Sequence, residues 1–164
     1  MANNMPDTIP SDFMAALAHL GSLDKLGDDE MKLMVLLETS GDPLYQKLAS
    51  LAPEGEATEL LLKNGREETA HAHRLKKAIE IATGEAFEIP SLDENPYAEP
   101  PAFTELTQEL LAGIVEGETN GDAGYQNWAN HEPNPEIAEL LRQNGREEIR
   151  HGERVARVAE ILKG

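Results

Sequence analysis

The residues of this chain best suited to chemistry are two copies of Glu-x-x-His, each with a lone Glu thirty positions upstream. The first set is Glu38, Glu68 and His71; the second, 80 residues on, is Glu118, Glu148 and His151. On a helix, positions i and i+3 share a face, so one metal ion can take both the carboxylate and the imidazole. Carboxylate oxygen and neutral imidazole nitrogen together suit first-row divalent cations. Two Glu and two Glu-x-x-His motifs on four helices form the ligand set of a carboxylate-bridged pair of metals inside a bundle.

The repeat extends beyond these six residues. Between 31–84 and 111–164 the register never slips, and 23 of 54 positions are identical. Glu38-Thr39-Ser40-Gly41-Asp42 with Tyr45-Gln46 returns as Glu118-Thr119-Asn120-Gly121-Asp122 with Tyr125-Gln126. Asn64-Gly65-Arg66-Glu67-Glu68 with His71 returns as Asn144-Gly145-Arg146-Glu147-Glu148 with His151. For a single Arg-Glu-Glu motif, a solvated helix surface is an adequate reading. A motif doubled in register, each copy on an apolar stripe behind its own Glu, favours the metal reading.

The elements that must position these residues are helices. Residues 1–26 read as a tail with one short helix around Ser11 to Leu20, capped by Ser11. Residues 27–164 read as a four-helix bundle, with repeat halves 27–84 and 105–164. Its first helix starts near Asp28 or Asp29 and ends before Pro53; its second spans about Glu54 to Thr83 and stops at Gly84. Pro90, Pro96, Pro100 and Pro101 mark a crossover loop over 85–101. The third helix is expected from about Ala102 to Asn130 and the fourth from about Asn134 to Lys163. Short links make antiparallel hairpins, and the long loop can traverse a ~30-residue helix of ~45 Å. One long crossover between two hairpins gives an all-α, ferritin-like four-helix bundle with an internal two-fold repeat.

On the second helix Ala57, Leu60, Leu61, Leu75, Ala78, Ile79 and Ala82 define an inward stripe, and Asn64, Glu68 and His71 lie in its middle. The fourth helix repeats this with Ile137, Leu140, Leu141, Val155, Val158 and Leu162 around Asn144, Glu148 and His151. Met31, Met34, Val35, Tyr45 and Leu48 bracket Glu38; Leu111, Ile114, Val115, Tyr125 and Trp128 bracket Glu118. Four carboxylates therefore point into a core with too few basic partners, a cost well beyond a net stability of ~5–15 kcal/mol. Two divalent cations would balance them, with the imidazoles binding as neutral donors.

This pattern resembles the ferritin-like di-iron superfamily, which includes bacterioferritins and rubrerythrins. In spacing it is most similar to the encapsulated ferritins, which place a Tyr seven residues after the first Glu and read Asn-x-x-Glu-Glu-x-x-His. Tyr45 with Asn64 to His71, and Tyr125 with Asn144 to His151, match that pattern. The resemblance covers about 28–84 and 105–164. Encapsulated ferritins build their site between two one-hairpin subunits; this chain looks like two hairpins fused, so one chain could complete the site. It implies two iron ions, with Mn or Zn as alternatives, held by Glu38, Glu68, His71, Glu118, Glu148 and His151, with Glu68 and Glu148 bridging. Rubrerythrins usually carry a further Glu where this chain has Gly121, and commonly a four-cysteine rubredoxin centre. The chain contains no cysteine. No fifth helix of the shell-forming ferritins follows the repeat, so a closed cage is not expected.

Around the six, Tyr45 and Tyr125 are read as packing residues, with hydrogen bonding to the centre or one-electron oxidation as the alternative. Asn64 and Asn144 are candidate supporting partners of the ligands. His19, His73 and His131 are read as structural or solvated. Gly41, Gly65, Gly121 and Gly145 inside helices imply close helix approach, space beside the metals, or a helix break at 41 and 121. Leu20-Gly21-Ser22-Leu23 faintly resembles the Gly-Ser-Leu core of encapsulin cargo peptides, and an encapsulin shell stays in view only as a disfavoured partner.

A net charge of −17 argues against nucleic-acid binding and favours attraction of cations. No apolar run approaches ~20 residues, so no membrane span is expected. The first residues lack the basic and apolar regions of a signal peptide, and the expected location is cytoplasmic. The leading function is ferroxidase-type oxidation of Fe(II) with O2 or H2O2. The alternatives are a rubrerythrin-like peroxide scavenger with an external electron donor, and a non-redox metal-binding bundle. A homodimer covering the Met- and Leu-rich 11–34 segment is also open.

Overall fold

The computed structural model describes residues 5–164, so the part of the expected tail before Met5 lies outside it. The described residues form α1 (Phe13–Gly21), α2 (Asp28–Leu51), α3 (Glu56–Thr83), a short 3-10 turn (Leu92–Glu94), α4 (Gln108–His131) and α5 (Pro135–Leu162). There is no strand among them, and the architecture is the all-α bundle expected. Among the described residues no helix is long and apolar enough to cross a membrane.

Local chemistry sets the helix ends. Asp12, rather than Ser11, caps α1 by accepting from the Ala15 amide at 2.8 Å. Asp28, Asp29 and Glu30 line the first turn of α2, where the helix dipole favours negative charge. Gly84, at φ +73°, closes α3 in the left-handed conformation that glycine adopts freely. α4 starts later than expected, at Gln108, because Thr107 supplies the cap. Ahead of that cap, Phe103 and Leu106 pack on the core from non-helical backbone. Asn134 caps α5 and Pro135 occupies its first turn. Neither Gly41 nor Gly121 breaks its helix, and Pro43 is accommodated inside α2.

α2 pairs with α3, and α4 with α5; α3 and α5 meet at the centre. They run antiparallel, since Asn64 on α3 donates to the His151 carbonyl on α5 while Asn144 on α5 donates to that of His71 on α3. The crossover runs along α2. Asn95 donates to the Leu36 carbonyl at 2.8 Å, and farther along Lys47 donates to the Pro101 carbonyl at 2.7 Å. α1 also docks, burying Ala16 and Leu20, while Tyr97 O–H donates to the Pro10 carbonyl at 2.6 Å. Leu20 of the Gly-Ser-Leu segment lies in the core, and Ser22 caps the helix end.

The cover is uneven. Leu33 and Leu37 on α2 are 4% and 6% exposed. Their counterparts on α4 are Gly113 and Gly117, which face solvent; a Cβ added at either would meet nothing within 4 Å. The apolar core falls into two clusters. One joins α1, the start of α2 and the end of α3 to Tyr125, Trp128 and Leu141; the other joins the end of α2 to Leu61, Leu111, Val155 and Val158. Each cluster draws on both hairpins, and the polar layer lies in the bundle interior with them. Of the expected inward stripe, Ala82 is exposed and Leu60 half-buried.

Candidate metal centre

All six residues singled out by spacing are buried, and α2, α3, α4 and α5 bring them together. One donor atom from each of Glu68, His71, Glu148 and His151 lies within 4.8 Å of the other three. Glu38 and Glu118 flank this group: Glu38 Oε2 is 3.4 Å from His71 Nδ1, and Glu118 Oε2 is 3.7 Å from His151 Nδ1. His71 Nδ1 also lies 2.9 Å from Glu148 Oε1, and His151 Nδ1 lies 3.3 Å from Glu68 Oε1. The imidazole planes stack at 5.0 Å between centroids. Each half thus reaches into the other, and neither hairpin contains the whole group.

The glycines are explained by these approaches. A Cβ on Gly41 would stand 2.7 Å from Glu68 Cγ, and one on Gly121 would stand 3.0 Å from Glu148 Oε2. Gly41→Ala should therefore lose up to about 2 kcal/mol, as overpacking of about 1–3 kcal/mol exceeds a helix-propensity gain of about 1 kcal/mol. Gly113→Ala, on the open face of α4, should gain about 1 kcal/mol from propensity alone. Urea denaturation of both variants checks this; equal signs would refute the close-approach account.

The tyrosines and asparagines work across the two-fold axis. Tyr45 donates to Glu118 and Tyr125 donates to Glu38, each in the opposite hairpin. Asn64 and Asn144 bond to backbone carbonyls of the opposite motif rather than to the Glu one turn away. His19, His73 and His131 are exposed and take no part.

Four residues were missed by sequence reasoning. Arg74 makes a two-pronged pair with Glu147 at 2.7 and 2.8 Å, and Glu147 Oε2 lies 3.2 Å from His71 Nε2. On the other side Arg154 bonds Glu67 at 3.0 Å, and Glu67 lies 3.4 Å from His151 Nε2. Both pairs recur 80 residues apart, so the repeat carried the signal. At His71 the Glu147 carboxylate bonded to Nε2 keeps the proton there and aims the Nδ1 lone pair at the centre, whereas His151 Nε2 faces Glu67 without a hydrogen bond. Arg74→Ala should weaken metal binding by roughly 10–100-fold, measurable by titration with Co(II), while its helix stays folded.

Burial dominates the electrostatics. It pushes Glu68 and Glu148 well above the usual carboxylate range, and repulsion from the neighbouring carboxylates adds to it. Burial also pushes Glu38 up, but the His71 imidazole and hydrogen bonds from Glu68 and Tyr125 bring it down to about 2. For Glu118, the adjoining Glu148 carboxyl, the His151 imidazole and the Tyr45 hydroxyl together outweigh burial and lower it. Burial pulls His71 down, yet the carboxylates of Glu38 and Glu147 raise it further than that. Burial pushes both tyrosines up strongly, so they remain protonated donors.

The donor set fits a pair of divalent cations. His71 Nδ1 and His151 Nδ1 are buried and close to carboxylate oxygens, yet neither makes a hydrogen bond. Buried polar atoms ordinarily find a partner. The two glycines leave the carboxylates room, and Arg74 and Arg154 pair with Glu147 and Glu67 rather than with the inner four.

The rubrerythrin family model matches residues 33–160, which span all six of these positions. The chain belongs to the rubrerythrin family. No curated protein and no solved structure matches it. Family and cluster together support a di-metal centre of the ferritin-like di-iron type. Unlike rubrerythrins with a rubredoxin centre, this chain has no cysteine to hold one.

Proposed function

We propose that this rubrerythrin-family chain holds two iron ions through Glu38, Glu68, His71, Glu118, Glu148 and His151, and oxidises Fe(II) with O2 or H2O2. The observation that carries this reading is the convergence of four buried carboxylates with two imidazole nitrogens that make no hydrogen bond. When bound, the iron pair would supply two electrons to the oxidant. The protein's own residues would do the rest. Glu68 and Glu148 lie nearest the shared centre and would bridge, while Glu38 and Glu118 would each serve one side. Tyr45 and Tyr125 hold the outer carboxylates by donating to them. The apolar clusters beside the polar layer keep water from the carboxylates.

The family match favours a second reading, removal of peroxide with electrons from an external donor. Anaerobic loading with Fe(II), followed by O2 or H2O2, tests both. About two irons per chain and rapid growth of ferric absorbance are expected. One iron per chain would mean that a single chain does not complete the centre. Faster oxidation by H2O2 without mineral would select the peroxide reading, and binding without oxidation by either would overturn both.

A further inference from the structure

The two halves agree at the residues that reach the centre and differ behind one tyrosine. Leu44 and Leu48 accompany Tyr45; their counterparts beside Tyr125 are Gly124 and Trp128. Trp128 is the chain's single tryptophan. It packs edge-on to Tyr125, with ring centroids 5.4 Å apart and planes at 82°. Gly124 clears the helix face beneath it, the indole lying 3.4 Å from where a Cβ would stand. The indole N–H donates to the Leu23 carbonyl at 3.0 Å, next to the exposed residues Ser22, Asp24 and Lys25. On its other side Tyr125 donates to Glu38. A continuous line thus runs from a carboxylate of the centre through phenol and indole to the surface segment 22–25. Around Tyr45 the matching side chains are aliphatic, and no such line exists.

We propose that Tyr125 and Trp128 form a one-sided electron path, carrying single electrons inward from an external donor of the reduced flavin or iron–sulfur class. The proposal rests on the redox reading of the centre. O2 needs four electrons to become water and the iron pair would supply two; Tyr125 gives one of the remaining two, and its phenolic proton passes to the Glu38 oxygen it already touches. Trp128 then gives one electron to the tyrosyl radical, and the proton returns from Glu38 to the phenolic oxygen. The indole keeps its own proton, because a backbone carbonyl is too weak a base to take it. The external donor refills the indole radical cation. In sum one electron has moved from donor to centre, and no proton has been gained or lost by the pair. Edge contact between the rings favours each transfer over a path through aliphatic side chains.

The test uses the full protein loaded anaerobically with Fe(II), mixed with O2-saturated buffer, frozen within milliseconds and read by electron paramagnetic resonance. Ferric absorbance is followed in the same samples. Ring-deuterated tryptophan should narrow an indole radical signal in the unmodified protein. Read per iron oxidised from the ferric absorbance, the signal should be abolished by Tyr125→Phe and retained in Tyr45→Phe, while Trp128→Phe should leave a tyrosyl signal that persists when reduced flavin is added. An indole signal that survives Tyr125→Phe, or is lost equally in Tyr45→Phe, would overturn the path. So would normal iron oxidation with no indole radical at all. Absence of iron oxidation in the unmodified protein would instead refute the reading on which the path rests. The deuteration result needs no substitution, so a variant that fails to fold does not remove the test.

Discussion

Glu68→Ala is expected to abolish oxidation of Fe(II) and to lower the number of irons bound per chain. The carboxylate lies 3.6 Å from His71 Nδ1 in its own motif and 3.3 Å from His151 Nδ1 in the other, so its loss removes a donor from both sides. The effect should exceed the roughly 10–100-fold typical of losing a supporting residue. Stability of the metal-free protein should move the other way. Burial and neighbouring carboxylates both oppose ionisation of Glu68, and removing it relieves Glu148 of a like charge. Replacing buried ionic groups by apolar ones of similar volume is often neutral or stabilising by about 1–4 kcal/mol, so Glu68→Leu, which leaves no cavity, is the variant on which this sign is read. Iron stoichiometry and denaturant unfolding on one preparation check both signs. An unchanged oxidation rate would remove Glu68 from the centre.

The second large effect couples pH, metal and stability. Glu68, Glu148 and His71 have raised pKa values in the folded chain. A raised folded-state value means that the native state binds more protons than the unfolded chain. For the two carboxyls that contribution is complete below about 4.5, the unfolded value, and is lost as pH rises through the higher folded value; His71 follows above about 6.5. Glu38 and Glu118 are lowered, so above that range they are ionised in both states and add no slope. The metal-free protein should therefore melt at progressively lower temperature between about pH 5 and pH 8. Divalent metal should reverse the trend, because it displaces those protons and binds more tightly as pH rises. At a thousandfold excess over Kd it adds about 4.1 kcal/mol, roughly 8–16 °C for a chain of this size. Calorimetry with and without Mn(II) measures this, and parallel pH profiles would contradict it.

The helices and the central group were legible because two periodicities coincide. The 3.6-residue stripe gives each helix a face, and the 80-residue repeat marks the polar positions that interrupt it. Geometry across the axis was not legible. Nothing in the spacing of Tyr45 from Glu38 says that its hydroxyl reaches Glu118, since that contact depends on how two hairpins face each other. Arg74 and Glu147 lie on different helices, so their pairing needs the α3–α5 packing to be known. α4 starts after the expected Ala102 because the boundary follows the Thr107 cap, and Phe103 and Leu106 reach the core from non-helical backbone. The docking of α1 likewise depends on a crossover loop whose path no local signal describes.

Uneven cover around the bundle has a bearing on timing. Ions reaching a buried centre must wait for one wall to yield. α2 is pinned beneath the crossover and α1, through Asn95, Lys47 and its buried leucines. α4 carries Gly113 and Gly117, open to water and each costing about 1 kcal/mol against Ala, where α2 has Leu33 and Leu37. Local opening is easiest where apolar contacts are few. On the proposed reading of the centre, α4 is the wall expected to open first, and its opening would set the pace and the direction of metal uptake. Two halves alike in their donors thus become a front and a back.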